Sequence, residues 1–321
     1  MPDHDQPSAP GSQVSPPYRD LSGVLNFDKP GGMTSRDVVD LVSRPLRKVK
    51  VGHAGTLDPL ASGVLVVCVG SATRLIEQVQ RMPKAYRAVI RLGATSDTLD
   101  ADGRIEPNLD PDLEIPNEAK VRAALESQVG WIQQLPPQFS ALKVEGRRAY
   151  DLARIGQSAP LVPRPVRVDR IDLIAYAWPR LEITVDCGSG TYIRSVARDV
   201  GEALGCGGLI EVLVRTRIGP FTLLDATNPV GQPIEAILAR LRSPVEALGE
   251  MPRLQLSPEQ VAMASGGKPL DPSRVAGAAS LPAGEVGLLA PDGTLVAVAE
   301  ILPSGAIQPR RVFVAQTVPK A

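Results

Sequence analysis

The chain has 321 residues, 35 Lys and Arg balanced by 35 Asp and Glu, 43% hydrophobic residues and three cysteines, a length that buries a sizeable core and suits two domains. No apolar run reaches membrane-spanning length and the N-terminus lacks a signal-peptide core, which excludes a helical membrane protein and reads as cytoplasmic. Cys68, Cys187 and Cys206 form no CxxC, so they read as buried thiols, and with only His4 and His53 a His-rich metal site is excluded.

Zero net charge hides segregation. Five bases face two acids between Arg36 and Lys50, and seven face three between Lys143 and Arg170. Between Leu92 and Gly130 nine acids face three bases. Such separation can give a neutral protein a phosphate-tracking face, or simply a solvated surface.

Residues 1–20 are rich in Pro, Ser, Asp and Gln without apolar periodicity, the composition of a disordered tail. A short strand is expected at Gly23–Asp28, ended by Lys29-Pro30-Gly31-Gly32. A helix capped by Thr34 or Ser35 should then run to about Leu46, with Val38, Val39, Leu41 and Val42 inward. Gly52-His53-Ala54-Gly55-Thr56-Leu57-Asp58-Pro59-Leu60-Ala61-Ser62-Gly63 is a glycine-lined loop presenting one acid, where Pro59 keeps Asp58 out of the helical region. By itself this could be ordinary turn punctuation. The run Val64–Val69 is a buried strand, and Ser71–Val79 reads as a helix.

In Lys84–Leu92 the alternation places Tyr86, Ala88, Ile90 and Leu92 on one face and Arg87 and Arg91 on the other, so Tyr86 suits a half-buried core residue. Asp97, Asp100, Asp102 and Gly103 lack the register of a calcium loop and read as a turn. An amphipathic helix is expected over Pro116–Gln128. Pro136–Pro160, basic with Phe139 and Tyr150 interleaved, suits RNA or an ordinary connecting loop.

Leu181–Cys187 alternates as a strand with one wet face. Gly188-Ser189-Gly190-Thr191 then turns it into a helix with Ile193, Val196, Ala197, Val200 and Leu204 inward. Strand, glycine turn and helix form an anion-binding geometry, so a nucleotide-binding enzyme is one alternative, although Ile193 stands where a dinucleotide loop wants glycine. Arg194 in the first helical turn opposes the helix dipole and calls for an anionic partner. Beyond Met251-Pro252 the texture becomes turn-rich and β-like.

Six words in this order resemble one family: Asp28–Ser35, the loop around Asp58, Lys84-Ala85-Tyr86-Arg87, Lys143–Tyr150, Gly190–Arg194 and Leu213–Arg217. From about residue 22 to the C-terminus the chain resembles the TruB family, the tRNA pseudouridine-55 synthases. The resemblance implies an α+β catalytic domain over 21–250, built on a mixed, mostly antiparallel sheet with flanking helices. A small β-rich PUA-like RNA-binding module over 251–321 would follow it.

By that resemblance Asp58 is the nucleophile toward a flipped-out uridine of the T-arm loop, and Arg194 is its cationic partner. Tyr86 stacks on the uracil and helps remove the C5 proton. Tyr192 and Leu213 line the uracil pocket, and His53 fills space beside the extruded nucleotide. Lys29 supports the loop, grouped with the substrate contacts, and the 136–160 region folds over the tRNA arm. The partner implied is tRNA, with no cofactor, metal or obligatory protein partner. One departure is Gly188-Ser189-Gly190, where the family often carries Ser-Lys-Gly. The remaining alternative is an RNA-binding or tRNA-folding protein without catalysis, against which the presence of Asp58 argues.

Overall fold

In the computed structural model the described residues are Tyr18, 21–140 and 160–313, together with the backbone of 143–144 and 147–148. The expected tail, most of the basic segment 136–160, Tyr150 and the last eight residues lie outside them. Among the described residues, no helix is long and apolar enough to cross a membrane.

The strands, in chain order, are β1 (Gly23–Lys29), β2 (Val51–His53), β3 (Ser62–Val69), β4 (Lys84–Leu92), β5 (Ala94–Ser96), β6 (Ile105–Pro107), β7 (Gly130–Gln134), β8 (Lys143–Val144), β9 (Arg147–Arg148), β10 (Arg164–Ala177), β11 (Arg180–Cys187), β12 (Gly208–Ile218) and β13 (Phe221–Thr222). The central sheet runs β1-β3-β12-β4-β11-β10-β7, with β2 on the end of β3 and β13 on β12, while β5–β6 and β8–β9 are separate ribbons. Each pairing in the central sheet is antiparallel except β3 with β12. The expectation of a mixed, mostly antiparallel sheet holds.

Helices α1 (Ser35–Ser43), α3 (Glu118–Glu126) and α4 (Ile193–Ala203) bury Val38, Val42, Val121, Leu125, Val196 and Val200 against one face of that sheet; α2 (Ile76–Arg81) and α5 (Ile234–Leu238) are short. The opposite face of β3 packs Val64, Val66 and Cys68 against Leu75, Val79, Ile218 and Phe221. Strand β3 is therefore covered on both sides, which is why its sequence is a continuous apolar run rather than an alternation. The β4 alternation is met residue by residue, with Tyr86, Ala88, Ile90 and Leu92 buried and Arg87 exposed. All three cysteines are free and buried, and burial pushes the Cys68 thiol up to about 12 and Cys187 to about 11.

Three local expectations are corrected. Helix α1 ends at Ser43, and Leu41 is on its exposed side. The helix expected at Ser71–Val79 is a 3₁₀ segment over Gly70–Leu75 leading into α2. The helix expected over Pro116–Gln128 is confined to Glu118–Glu126, capped by the Asn117 side chain.

Residues 253–312 form a second sheet of β14 (Arg253–Gln255), β15 (Gly284–Leu289), β16 (Leu295–Ile301) and β17 (Ile307–Val312), in that order, with α6 (Pro258–Ser265) against it. It has a core of its own around Leu254, Val286, Leu288 and Ile307. Leu295, Val298 and Phe313 nevertheless join the apolar cluster on the back of β3, so the two sheets share packed surface.

Gly63 opens β3 at φ +98°, where it lies opposite Arg215 of β12; a Cβ there would come within 2.3 Å of the Arg215 carbonyl oxygen. Both the dihedral and the contact demand glycine. Gly63→Ala should lower stability by about 2–4 kcal/mol, combining backbone strain with a forced separation of β3 and β12. Equilibrium denaturation midpoints of the two proteins measure it, and an unchanged midpoint would contradict the close approach.

Candidate active site

Strands β2 and β3 pair antiparallel, His53 opposite Val67, so residues 54–61 form a loop rooted in the sheet at both ends. Nearly every peptide around Asp58 is tied down. The Ser35 hydroxyl donates to the Leu57 carbonyl (3.0 Å) and accepts from the Leu57 N–H (2.8 Å); it can do so because Thr34, not Ser35, caps α1. The Pro59 carbonyl accepts from the Gly32 N–H (2.8 Å) and the Lys29 ammonium (3.4 Å), which also donates to the carbonyls of Pro30 and Met33. From β12 the buried Arg215 guanidinium donates to the carbonyls of Gly55 (3.1 Å), Thr56 (3.4 Å) and Val64 (2.8 Å).

The acid faces Arg194. Gly190 at φ +87° turns the chain after β11, and the Gln134 side chain brackets Tyr192 by accepting from its N–H and donating to its carbonyl. Helix α4 starts one residue later. Arg194 thus sits in the first turn with its side chain 5% exposed, and its Nε lies 3.0 Å from Oδ2 of Asp58. Its Nη1 contacts Asp100 (3.4 Å) and donates to the Thr98 carbonyl (2.8 Å), while Nη2 donates to the Phe139 carbonyl (2.8 Å). The anionic partner that the helix dipole calls for is present twice. Burial pushes the Asp100 carboxyl up from its ordinary range, opposed by the Thr98 hydroxyl and Arg194.

Asp58, Tyr86, Tyr192, Arg194 and Leu213 line one cavity of about 280 Å³, with Lys84, Ser140 and Arg215 also in its walls. That volume lies just below the usual range of ligand pockets, about 300–1,000 Å³. Tyr86 forms part of the wall from the sheet, directly opposite Arg215 across the β4–β12 pairing. Burial raises its phenol pKa, with the Arg215 guanidinium opposing, so the ring stays neutral and available for stacking. The Lys84 ammonium donates to the carbonyls of Gln80 (2.7 Å) and Met82 (2.8 Å), and burial lowers it to about 8. Tyr192 carries the Arg164 guanidinium 5.2 Å above its ring.

Two of the expected residues lie outside that cavity. His53 ends β2, half-buried, before the loop begins. Lys29 is fully buried and holds the loop from behind, so its grouping with substrate contacts gives way to the supporting role. The turn suggested as an anion site spends polar groups internally: the Ser189 hydroxyl donates to Gln80, and the Gly190 carbonyl accepts from Arg164. The Leu213–Arg217 word flagged Arg215 without a role, and Asp100 was legible only as part of a turn.

Burial lowers the Lys29 ammonium to about 8, against about 10.4 for an unfolded lysine. Between those values the unfolded chain holds a proton that the folded chain does not, so stability rises with pH across this window and is lost as pH falls through 8. The destabilisation caused by Lys29→Met should therefore grow by about 1–2 kcal/mol from pH 7 to pH 9.5. Paired denaturation curves at the two pH values test this, since other titrating groups cancel in the difference.

The model of the TruB family pseudouridylate synthase N-terminal domain matches residues 43–193. The tRNA pseudouridine synthase B of Cereibacter sphaeroides is 41% identical over 300 residues, covering 92% of this chain and 97% of that protein. The protein of that name from Xanthomonas axonopodis pv. citri is 40% identical over 306 residues, covering 92% and 95%. Among solved structures, a chain of the archaeal box H/ACA sRNP Nop10-Cbf5 complex superposes with a TM-score of 0.68 at 25% identity, covering 92% of this chain and 88% of that one. A chain of a Cbf5-Nop10-Gar1 complex gives 0.70 at 25% identity, covering 91% and 85%. With relatives matched along nearly their whole length and the same fold beneath, the chain belongs to the TruB family of pseudouridylate synthases.

Proposed function

We propose that this chain isomerises uridine to pseudouridine in tRNA, at position 55 of the T-arm loop, in the cytoplasm and without an obligatory protein partner. The observation that carries the reading is the Asp58–Arg194 pair at a cavity walled by Tyr86 and Leu213. Residues 21–250 supply catalysis, and 251–321 serve as a PUA-like module that binds RNA.

The reaction breaks the C1′–N1 glycosidic bond, turns the uracil and joins C5 to C1′. Substrate and product are isomers, so the balance calls for no oxidant, reductant or nucleotide. Asp58 acts as the nucleophile toward the flipped-out uridine. Arg194 fixes the direction in which the carboxylate points through a charge-assisted contact on Nε. Tyr86 stacks on the base, and a C5 proton transfer through its phenol works against the burial that keeps it neutral. Tyr192 and Leu213 close the pocket, while His53, beside the loop, meets RNA outside it. Flipping a nucleotide costs a few kcal/mol, which these contacts offset.

Asp58→Asn should abolish pseudouridine formation on unmodified tRNA while leaving tRNA affinity within about threefold, because the amide keeps the shape and removes the nucleophile. Nucleoside mass mapping of the T-arm loop reads the product, and appreciable single-turnover activity in the variant would end the assignment. Arg194→Lys should slow the single-turnover rate by about 10²-fold or more, since a point charge cannot serve acceptors from four residues at once. A rate near that of the native protein would remove Arg194 from the catalytic set.

A further inference from the structure

Ser140 stands out among the cavity's polar groups. Its residue is 4% exposed, it lines the cavity, and its hydroxyl has no hydrogen-bond partner among the described residues. The hydroxyls of Ser35 and Ser195, equally buried, are both satisfied by carbonyls. A buried hydroxyl left unpaired destabilises the fold, and native proteins rarely keep one except where something else completes it.

The position of Ser140 is not incidental. The carbonyl of the preceding residue, Phe139, accepts from Nη2 of Arg194, and Nε of the same guanidinium holds Asp58. Nε and one Nη lie along the same edge of that rigid plane, so one side chain sets both the nucleophile and the chain leading into Ser140. Whether Asp58 attacks C1′ or C6, the first is one end of the glycosidic bond and the second is bonded to the other end, so its carboxylate belongs at the base–sugar junction. Tyr86 and Leu213 reach the cavity from the sheet and Ser140 from a separate segment of the chain, so with the uracil stacked on Tyr86 the ribose is the part of the nucleotide assigned to Ser140. A ribose 2′-hydroxyl both donates and accepts, as a serine hydroxyl does, and it is the group by which a protein separates RNA from DNA.

We propose that Ser140 is a substrate-contacting residue whose hydroxyl hydrogen-bonds the ribose 2′-hydroxyl of the flipped-out nucleotide, making the cavity selective for a ribonucleotide. This rests on the reading of Asp58 as the nucleophile.

The test uses the full chain with T-arm stem-loop RNA carrying either uridine or 2′-deoxyuridine at the target position. Native protein should bind the 2′-deoxy RNA about three- to tenfold more weakly, the size expected for one neutral hydrogen bond. Ser140→Ala should lose a similar factor on the uridine RNA and then distinguish the two RNAs by less than about twofold. Ser140→Thr, which keeps the hydroxyl, should restore most of the discrimination. The melting temperature of Ser140→Ala should equal or exceed that of the native protein, because the substitution removes a polar group that has no partner. Full discrimination retained in Ser140→Ala, or a lowered melting temperature with equal losses on both RNAs, would overturn the proposal. Failure of the underlying reading looks different: Asp58→Asn would then still form pseudouridine in the uridine RNA.

Discussion

A buried guanidinium organises this molecule. Arg194 is almost wholly withdrawn from water, and a charge so placed is tolerated only if it is paired and hydrogen-bonded. Its acceptors come from three separate stretches of chain: the loop at Asp58, the turn at Thr98 and Asp100, and the segment ending at Phe139. Leaving any of them out strands either the cation or a carboxylate, so a misplaced loop, turn or segment costs the fold as well as the site. The same reasoning applies to Arg215, whose three carbonyl partners tie β12 to the chain on either side of Asp58. Two arginines, one holding the carboxylate and one holding its backbone, turn a glycine-rich loop into a fixed feature.

Much of this was legible in the sequence, for reasons that differ from residue to residue. Asp58 stood out because glycines and Pro59 surround it in a motif, and Arg194 because a cation in a helix's first turn contradicts the dipole unless something answers it. The β4 alternation was readable because one face is wet. Arg215 and Ser140 were not, because what each does is set by the fold: Arg215 reaches Gly55 across 160 positions, and the Ser140 hydroxyl is buried without a hydrogen-bond partner among the described residues. Leu41 misled because an apolar residue one position off the buried stripe of α1 looks the same in sequence as one on it. The 3₁₀ start at Gly70 misled because helical spacing does not separate the two helix types over so few residues.

The texture change near residue 251 marks where the second sheet begins, yet the packing does not stop there. Leu295, Val298 and Phe313 complete the apolar layer behind β3. Arg311 donates to Glu285 and to the Arg74 carbonyl, and Arg74 donates to the Val312 carbonyl, which knits β15 and β17 to the 3₁₀ segment before α2. The module therefore presents its surfaces at a set angle to the cavity rather than on a tether, and truncation at 251 would bare apolar surface as well as remove any RNA contact.

The loop that carries Asp58 leaves β2 and enters β3 while those strands are hydrogen-bonded to each other, and its middle is pinned from Ser35, Lys29 and Arg215. Such a loop does not swing. The ordering entropy of the carboxylate is settled when the protein folds, long before any RNA arrives. On the proposed reading of Asp58, all the travel needed to bring reactants together then falls to the nucleic acid, which must unstack a nucleotide and deliver it to a stationary carboxylate. Catalytic speed on different RNAs should accordingly follow how readily each one lets its target nucleotide go.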